Sequence, residues 1–381
     1  MKKFQKSVLC FTGFYLPGFK GGGPIRTIAN VVEALGRDIS ISIVTLDRDL
    51  GDNNSYPNIM PDKWQKVGNA NVFYIPKNNI FIKIFTVIKN FQGDFLHLNS
   101  FFSFKFSILP LTIASIIKPN AKIIIGPRGE FSHEALKIKS FKKQCYLLLA
   151  KLFKIHKNVI WHASTIHEAS DIRRVMGSTV KIRTAIDIAA PKENLTLSPR
   201  VDNSPINIVF ISRISPMKNL LGAIESLKHV KHPVNFHVYG PTEDMKYWNT
   251  CQNAAVNLPS NVNFDYHGFL LPSEVAEKLA EYDMFFLPTL GENFGHVIAE
   301  ALSSGLPVLI SNNTPWRDLE GKELGWDLPL DQPDLFARRI DYCYTMPASE
   351  FNRWRKNIRS WALENIGNKE AIEQNRQLFT N

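Results

Sequence analysis

Short apolar runs typical of strands alternate with segments of helical periodicity along almost the whole chain. In the first half they predict strands at 8–12, 39–46, 72–75, 95–98, 122–125 and 159–163, and helices centred near Val31, Phe85, Ile113, Leu147 and Ile172. In the second half they predict strands at 206–212, 234–239, 262–267, 284–287 and 308–311. This alternation is the mark of parallel α/β sheets. We therefore expect two doubly wound, Rossmann-like domains that face each other across a cleft, with ligands at the carboxyl ends of the strands.

The length of the chain and one polar segment set the expected domain boundaries. A chain of 381 residues exceeds one ordinary core and fits two domains of about 150 to 200 residues. We expect a first domain over 1–190, a polar linker over 191–205, a second domain over 206–350, and C-terminal helices over 351–381.

Composition narrows the class of protein. With 44% hydrophobic and 21% charged residues the chain is typical of a globular protein, and its four cysteines show no CxxC motif, which suits a reducing cytosol. The basic start followed by an apolar run is predicted to be a first strand, because no small-residue cleavage site of a signal peptide follows it. No window reaches 18 uncharged apolar residues, so we expect no membrane span.

The net charge of +10 is concentrated in the first half, where residues 1–190 hold 27 Lys and Arg against 12 Asp and Glu. A basic surface suits nucleic acid, anionic lipid headgroups or an acidic substrate. No RNA- or DNA-binding motif is recognised, so we expect no nucleic-acid partner. Lysines at 137, 139, 142 and 143, followed by the apolar residues 146–149, predict a basic amphipathic helix. Such a helix either has a solvated face or binds an anionic membrane surface, which would make the protein cytoplasmic and peripheral on the inner face of the cytoplasmic membrane.

The stretch 285–310 combines a strand, a polar loop, a short helix and a second strand. Glu292 lies in the loop, and Glu300 lies in the helix that follows Gly295. The helix start offers backbone N–H groups and the positive end of the helix dipole, so a diphosphate could bind there and the two glutamates could hold hydroxyl groups on either side. Taken alone, a pair of glutamates is more often solvated, since charged side chains are mostly exposed.

The sequence PTLGENFGHVIAEALSSGLPV, with seven residues between its two glutamates, resembles the signature of the retaining glycosyltransferases of family 4, which have the GT-B fold. The resemblance covers nearly the whole chain, weakly at 50–90 and strongly at 206–310. It implies that Glu292 contacts the donor sugar, that Glu300 holds the nucleotide ribose, and that Asn293, Phe294 and Gly295 also bind the donor. In this family the C-terminal tail crosses back to the first domain, whereas the residues of 351–381 alone would equally suit a cap on the second domain.

A second match follows the strand at 206–212, in RISPMKNLLGAI. Ser215 is predicted to cap a helix that begins at Pro216, which places Lys218 in the first turn, where a cation opposes the helix dipole and a bound anion would remove the conflict. The family has an arginine after this strand and a lysine five residues later, both on the donor diphosphate. Arg213 and Lys218 match them, although without that context they would be solvated charges.

Three more loops resemble donor-binding loops of the family. Gly240, in YGPTED, closes one strand, and Phe269 and Leu270, in HGFLLPSEV, are candidates for contact with the nucleotide base or ordinary apolar residues of the loop. In GFKGGGPIR, Gly22 and Gly23 permit close approach of the backbone to a phosphate, and the resemblance places them near the donor. A dinucleotide-binding fingerprint fails at this loop, because Arg26 takes the place of its third glycine.

The loop IIIGPRGEFSH supplies Arg128, Glu130 and His133 as acceptor-side candidates. It resembles a PRG loop of a bacterial branch of the family that builds surface polysaccharides. The expected activity is therefore retaining transfer of a sugar from a UDP- or GDP-linked donor to a saccharide acceptor, lipid-linked, in O-antigen, capsule or exopolysaccharide synthesis. A GT-B sugar-nucleotide epimerase and a non-catalytic basic binding protein are the alternatives.

One motif could be taken for a metal site. Asp47 and Asp49 form a DxD, which holds a divalent metal in the other large glycosyltransferase fold; here it follows the second strand, and we expect both side chains on the surface. The histidines show no metal-ligand spacing. We predict no metal and no other cofactor, because GT-B enzymes need no bound metal for the reaction.

Overall fold

The computed structural model describes residues 6–137, 140–153, 155–190, 194–367 and 369–380. The chain divides into two compact units, of which the first comprises Met1–Ile188 with Lys369–Asn381 and the second comprises Ala189–Asn368. Each unit is a Rossmann-like α/β domain around a mainly parallel sheet, so the predicted fold class is confirmed.

The first unit is built on one sheet with the strand order β3-β4-β2-β1-β5-β6-β7-β8. Its strands are β1 (Lys6–Phe11), β2 (Ile39–Leu46), β3 (Trp64–Val67), β4 (Ala70–Ile75), β5 (Phe95–Asn99), β6 (Lys122–Gly126), β7 (Val159–Ala163) and β8 (Ile182–Thr184). Its first helices are α1 (Gly23–Leu35), α2 (Ile80–Asn90), α3 (Leu109–Ile117), α4 (His133–Lys137), α5 (Ser140–Leu152) and α6 (Ile166–Met176). The pattern missed β3 and β8, the two edge strands, because both are short and partly exposed and so lack a strong apolar run.

The second unit has a parallel sheet with the order β11-β10-β9-β12-β13-β14. Its strands are β9 (Ile206–Ile211), β10 (Val234–Tyr239), β11 (Val262–Tyr266), β12 (Met284–Leu287), β13 (Val308–Ser311) and β14 (Gly325–Leu328). Its helices are α7 (Leu220–Leu227), α8 (Met245–Ala255), α9 (Val275–Ala280), α10 (His296–Ser303), α11 (Pro333–Thr345) and α12 (Ala348–Asn365). The chain runs outward from β9 in one direction and from β12 in the other. The point between β9 and β12 is therefore the topological switch point of this sheet, where open α/β sheets bind ligands.

The predicted linker packs against the second unit. Arg200 is buried, and its Nη1 lies 3.3 Å from Oδ2 of Asp283, while its backbone N–H donates to Oδ1 of Asn352 at 2.9 Å. Residues 191–193 of the predicted linker lie outside the described residues. The part that is described is thus anchored by a buried ion pair, which distinguishes it from a free connector.

The C-terminal helices divide between the two units. The buried Arg355 of α12 donates to the carbonyl oxygens of Gly305, Ser198 and Ala280, all in the second unit. The last helix, α13 (Lys369–Leu378), packs on the first unit, where Arg376 pairs with Asp38 at 2.7 Å. Both alternatives that the sequence left open therefore hold, because α12 packs on the second unit and α13 packs on the first.

Candidate active site

The loops that follow β9 and β12 meet at the switch point of the second unit, and they bring Lys218 and Glu292 together. The Nζ atom of Lys218 donates to Oε1 of Glu292, and only 14% and 11% of the two side chains are exposed. Because β9 and β12 are neighbouring parallel strands, their carboxyl ends place both loops at one edge of the sheet. A cation and a carboxylate with little access to water interact more strongly there than on an open surface.

The local backbone at Lys218 differs from the predicted helix. Pro216–Lys218 forms a separate 3₁₀ turn, and α7 begins only at Leu220. Asn219 adopts a left-handed conformation with φ of 56°, and its side chain caps α7 by accepting from the N–H of Gly222 at 3.2 Å. Ser215 occupies the N-cap position of this 3₁₀ turn and Pro216 is its first residue, as predicted, but the Ser215 side chain makes no capping bond. Asparagine tolerates this conformation and is a preferred N-cap, which was the signal that sequence reasoning overlooked.

Hydrogen bonds between the two loops fix their relative position. The N–H of Leu290 and the hydroxyl of Thr289 both donate to the carbonyl oxygen of Met217, at 2.9 and 3.0 Å. The side chain of Asn219 donates to the carbonyl of Pro288 at 2.8 Å. These bonds hold the backbone on both sides of the ion pair, so the approach of Lys218 to Glu292 is built into the loop packing.

The rest of the motif leads into α10. Gly295 has φ of 81° and occupies the N-cap position before His296, where it has no side chain to cap the helix. Phe294 is held by Trp316, whose Nε1 donates to the Phe294 carbonyl at 2.7 Å. Asn293 lies beside it in the loop, and the half-buried Glu300 lies on α10 with its Oε2 shielded from solvent. Glu292 and Glu300 thus lie on either side of this helix start in sequence, as the pattern predicted.

Arg213 follows β9 and forms an ion pair with Glu243, a residue that the sequence analysis did not identify. Its Nη1 lies 2.9 Å from Oε2 of Glu243, which belongs to the loop after β10. The two loops are joined by backbone bonds, since the N–H of Ile214 donates to the carbonyl of Pro241 at 2.9 Å. Gly240 permits this approach, because a Cβ there would lie 1.7 Å from the carbonyl oxygen of Ser212. Glu243 stood within the YGPTED loop, but residue type alone did not indicate which cation it would contact.

The two candidates for base contact, Phe269 and Leu270, differ in their exposure to solvent. Phe269 is 53% exposed, whereas Leu270 packs against the core of the second unit. Of the two side chains, that of Phe269 is the more exposed to solvent.

The glycine loop of the first unit lies between β1 and α1. Gly22 has φ of 69° and precedes α1, which begins at Gly23. Asp49 organises this loop, because its carboxylate accepts the N–H groups of Phe19 and Lys20 at 2.7 and 3.0 Å. Burial lowers the pKa of the Arg26 guanidinium to about 10, so this side chain remains charged at neutral pH.

The expected surface position of the DxD motif is wrong. Asp47 and Asp49 are both buried. Asp47 binds the guanidinium of Arg48 at 2.8 Å and the hydroxyl of Ser55 at 2.6 Å. In the part of the chain that is described, no three His, Cys, Asp or Glu side chains lie close enough together to hold a metal ion. The motif therefore stabilises the loops around it.

Arg128 is enclosed in the first unit. Its guanidinium donates to Oδ1 of Asn99 at 2.8 Å, to the hydroxyl of Ser164 at 3.0 Å and to Oδ1 of Asp187 at 3.1 Å. Asp187 also accepts from the hydroxyl of Thr27 on α1 at 2.8 Å. Only 7% of the Arg128 side chain and 4% of that of Asp187 are exposed. Arg128 thus joins the ends of β5 and β7 to the segment after β8, and its bonds are internal.

The other two acceptor-side candidates have different surroundings. Glu130 accepts from the hydroxyl of Ser100 at 2.7 Å and from the N–H of Phe102 at 3.0 Å, and burial raises the pKa of its carboxyl. His133 is exposed at the start of α4. Of the three candidates, only His133 presents its side chain freely to solvent.

Comparison with known proteins gives one family match and several structural neighbours. Residues 192–361 match the model of the family described as Glycosyl transferases group 1, and no curated protein matches the chain. Sucrose-phosphate synthase from Thermosynechococcus elongatus is similar with a TM-score of 0.73 and 16% identity, over 98% of this chain and 99% of that chain. HepE from Anabaena, in complex with UDP and glucose, has a TM-score of 0.68 and 14% identity, over 98% of each chain. WaaG, a glycosyltransferase involved in lipopolysaccharide biosynthesis, has a TM-score of 0.63 and 14% identity, over 98% of this chain and 100% of that chain.

The family match spans the unit that holds Arg213, Lys218, Glu292 and Glu300. The chain therefore has the GT-B fold, and its second unit matches the glycosyl transferases of group 1.

Proposed function

We propose that the protein is a retaining glycosyltransferase that moves a sugar from a UDP-linked donor to a saccharide acceptor. The observation that carries this proposal is the convergence of Lys218 and Glu292 at the switch point of the second unit, with Arg213 on the loop after β9. That edge of an open parallel sheet is where nucleotides bind in doubly wound domains. Two cations suit a diphosphate, and a carboxylate suits the hydroxyl groups of a sugar.

The donor diphosphate would lie against Lys218, Arg213 and the start of α10. Two side-chain cations and a helix N-terminus offset the charge that develops on the leaving diphosphate, which in a water-poor site can supply several kcal/mol. Glu300 would hold the ribose, and Phe269 would contact the base. HepE, with a similar fold, was solved with UDP, which favours uridine over guanosine.

The reaction is proposed to proceed by attack on the same face from which the diphosphate leaves. The bond between the anomeric carbon and the phosphate oxygen breaks as the acceptor oxygen bonds to that carbon, and the acceptor proton passes to a donor phosphate oxygen. Glu292 orients the sugar, and no bound metal takes part. The carboxylate also stabilises the positive charge that develops at the anomeric carbon.

The acceptor is proposed to be a lipid-linked sugar of a growing surface polysaccharide, handled by the basic first unit. The similarity of fold to WaaG, which is involved in lipopolysaccharide biosynthesis, supports this choice. The exposed His133 is the acceptor-side residue we favour, and Gly22 and Gly23 remain candidates for contact with the donor. The reaction would take place in the cytoplasm.

A thermal-shift panel of nucleotides and nucleotide sugars tests the donor assignment. A ligand present at 100 times its Kd stabilises the folded protein by about 2.7 kcal/mol. We expect UDP and a UDP-sugar to stabilise the wild type, and the Lys218→Ala variant to lose most of this effect. If none of the nucleotides or nucleotide sugars stabilises the wild type, the proposal is contradicted. Conversion of the UDP-sugar to an epimer without acceptor would favour the epimerase alternative.

A further inference from the structure

Helix α5 turns an apolar face away from the unit that it belongs to. Phe141, Leu148 and Leu152 are 78%, 69% and 70% exposed, and Phe153, directly after the helix, is 69% exposed. At 3.6 residues per turn, Phe141, Leu148 and Leu152 form one stripe with the exposed Cys145.

The opposite side of α5 already has its packing partners. Tyr146 and Leu147 contact the core of the first unit, and Ala150 is buried. Lys143 also turns inward, with its Nζ 2.5 Å from the carbonyl oxygen of Ala135 and 5.1 Å from the ring of Phe102. The helix therefore buries one complete face, and the outward stripe is a second apolar face that internal packing does not use.

Positive charge surrounds this stripe. The exposed Lys142 and Lys151 lie on its two sides, and residues 135–167 contain seven lysines and no Asp or Glu. Lys139, which the sequence pattern included in the basic cluster, lies outside the described residues. A partner that covers the stripe must therefore tolerate the positive charges of Lys142 and Lys151 beside it, which anionic groups do and basic groups do not.

We propose that the outward stripe of α5, formed by Phe141, Cys145, Leu148 and Leu152 with Phe153, inserts into the surface of an anionic lipid bilayer. A helix with an apolar face and flanking lysines lies in the plane of the bilayer, with the apolar side chains among the acyl chains and the ammonium groups at the headgroups. The described part of the chain contains no helix long and apolar enough to cross a bilayer, and α5 has 13 residues. The attachment is therefore peripheral, and it holds the first unit at the surface where a lipid-linked acceptor would lie.

Three sets of substitutions distinguish the apolar from the electrostatic contribution to membrane binding. The apolar variant is Phe141→Gln/Leu148→Gln/Leu152→Gln, in which glutamine keeps the helix propensity. The charge variant is Lys142→Gln/Lys151→Gln. The control is Met245→Gln/Lys246→Gln, which removes an exposed apolar residue and an exposed lysine from α8 of the second unit. All the replaced side chains are exposed, so the three variants should keep the melting temperature of the wild type.

Sedimentation with vesicles measures the partition coefficient of each variant. With vesicles of phosphatidylcholine and phosphatidylglycerol, we expect the apolar variant to bind at least about tenfold more weakly than the wild type. The charge variant should lose about fivefold for each lysine, and its binding should respond less to phosphatidylglycerol content. The control should bind like the wild type. Absence of wild-type binding, or equal binding by the wild type and the apolar variant, would overturn the proposal.

Cys145 provides an independent measure of insertion, because the other three cysteines are buried. A fluorophore sensitive to polarity and attached to Cys145 should shift its emission to shorter wavelength when anionic vesicles are added. An unchanged spectrum on sedimented protein would show that the stripe stays in water and would refute insertion. A dimer in solution that the apolar variant dissociates would assign the stripe to a second copy of the chain and also refute it. None of these readouts depends on sugar transfer.

Discussion

The Nζ atom of Lys218 donates a hydrogen bond to Oε1 of Glu292, although 74 positions separate the two residues in the chain. The sequence pattern assigned them separate partners, a diphosphate for the lysine and a sugar for the glutamate. Their contact means that one cation and one carboxylate share a single, largely buried place at the switch point of the second unit. A donor that binds there would contact both members of an ion pair at once.

Loss of Lys218 should therefore affect stability as well as transfer. We expect Lys218→Ala to remove most transfer activity and to lower the free energy of unfolding by about 1–3 kcal/mol, because it removes the cation beside the largely buried Glu292 carboxylate. The Lys218→Ala/Glu292→Gln double variant should regain much of the stability, since a neutral amide requires no counter-ion, and should remain inactive. Urea unfolding and transfer assays measure both effects. A double variant as unstable as Lys218→Ala would argue against this ion-pair contribution.

Glu243 should weaken donor binding in the wild type. Its carboxylate holds Arg213 at 2.9 Å and would compete with the donor diphosphate for the guanidinium. We expect Glu243→Gln to lower the KM for the donor by up to about fivefold and to leave kcat unchanged, as suits a partly exposed ion pair. Glu281→Gln is the matched control, because Glu281 pairs with Lys278 at 2.8 Å in the same unit. A higher donor KM for Glu243→Gln would show that Glu243 instead positions Arg213 for binding.

Substitution of Arg128 should reveal a structural role, whereas substitution of His133 should reveal a role in acceptor binding. Removal of one member of a buried ion pair costs about 3–5 kcal/mol, so Arg128→Ala should strongly destabilise the first unit through the loss of its bond to Asp187. His133 is exposed, so His133→Ala should change the free energy of unfolding by no more than about 0.5 kcal/mol while raising the KM for the acceptor. Chemical unfolding and acceptor titrations distinguish the two. Normal stability of Arg128→Ala would contradict the internal role of this arginine.

Buried histidines make the stability of the first unit depend on pH. Burial lowers the pKa of His156 to about 4, and burial together with the charge of Arg128 lowers that of His162 to about 3. Below about pH 6.5 the unfolded chain takes up protons that the folded unit does not, so stability is present at neutral pH and falls as the pH drops. Each histidine should contribute about 1.4 kcal/mol per pH unit between about pH 6 and 5.

His156→Phe tests this dependence at one site. The ring of His156 lies among those of Phe101, Tyr146 and Trp161, so phenylalanine suits the site and removes only the titration. The free energy of unfolding, measured with urea at several pH values in this range, should change less with pH for the variant than for the wild type. An identical dependence on pH in the two proteins would mean that His156 does not contribute to the loss of stability.

The parts of the fold predicted correctly are those with strong local patterns. The bounds of β7, β12 and β13 follow from buried runs, those of β2 and β10 follow from alternating apolar and polar residues, and the two-domain organisation follows from the alternation of strands with helices. The short strands β3 and β8 were missed because both are partly exposed and lack a buried apolar run, and β14 was missed because its four residues, GWDL, include a glycine and an aspartate. A short strand can depend on its neighbours in the sheet more than on its own sequence.

The candidate site was predictable as residue types and loops, but not as contacts. The sequence pattern placed Glu292 in a loop and Glu300 on a helix, as the structure has them. It did not indicate that Glu243 would hold Arg213, or that Asp49 would bind the backbone of Phe19, because each pair is about thirty residues apart and meets only through the packing of the sheet. Burial of Asp49 is likewise a tertiary property, which explains the wrong expectation of a surface DxD.

NMR analysis of the product determines whether a sugar is transferred from a UDP-linked donor with retention of configuration, as proposed. From an α-linked donor and an extracted lipid-linked acceptor, we predict an α-linked product. Glu292→Gln should lower kcat strongly even at saturating donor, because it acts at the anomeric centre, whereas Glu300→Gln should mainly raise the donor KM, because the ribose does not change during the reaction. An inverted product, or a loss of kcat confined to Glu300→Gln, would contradict both the mechanism and the assignment of the two glutamates.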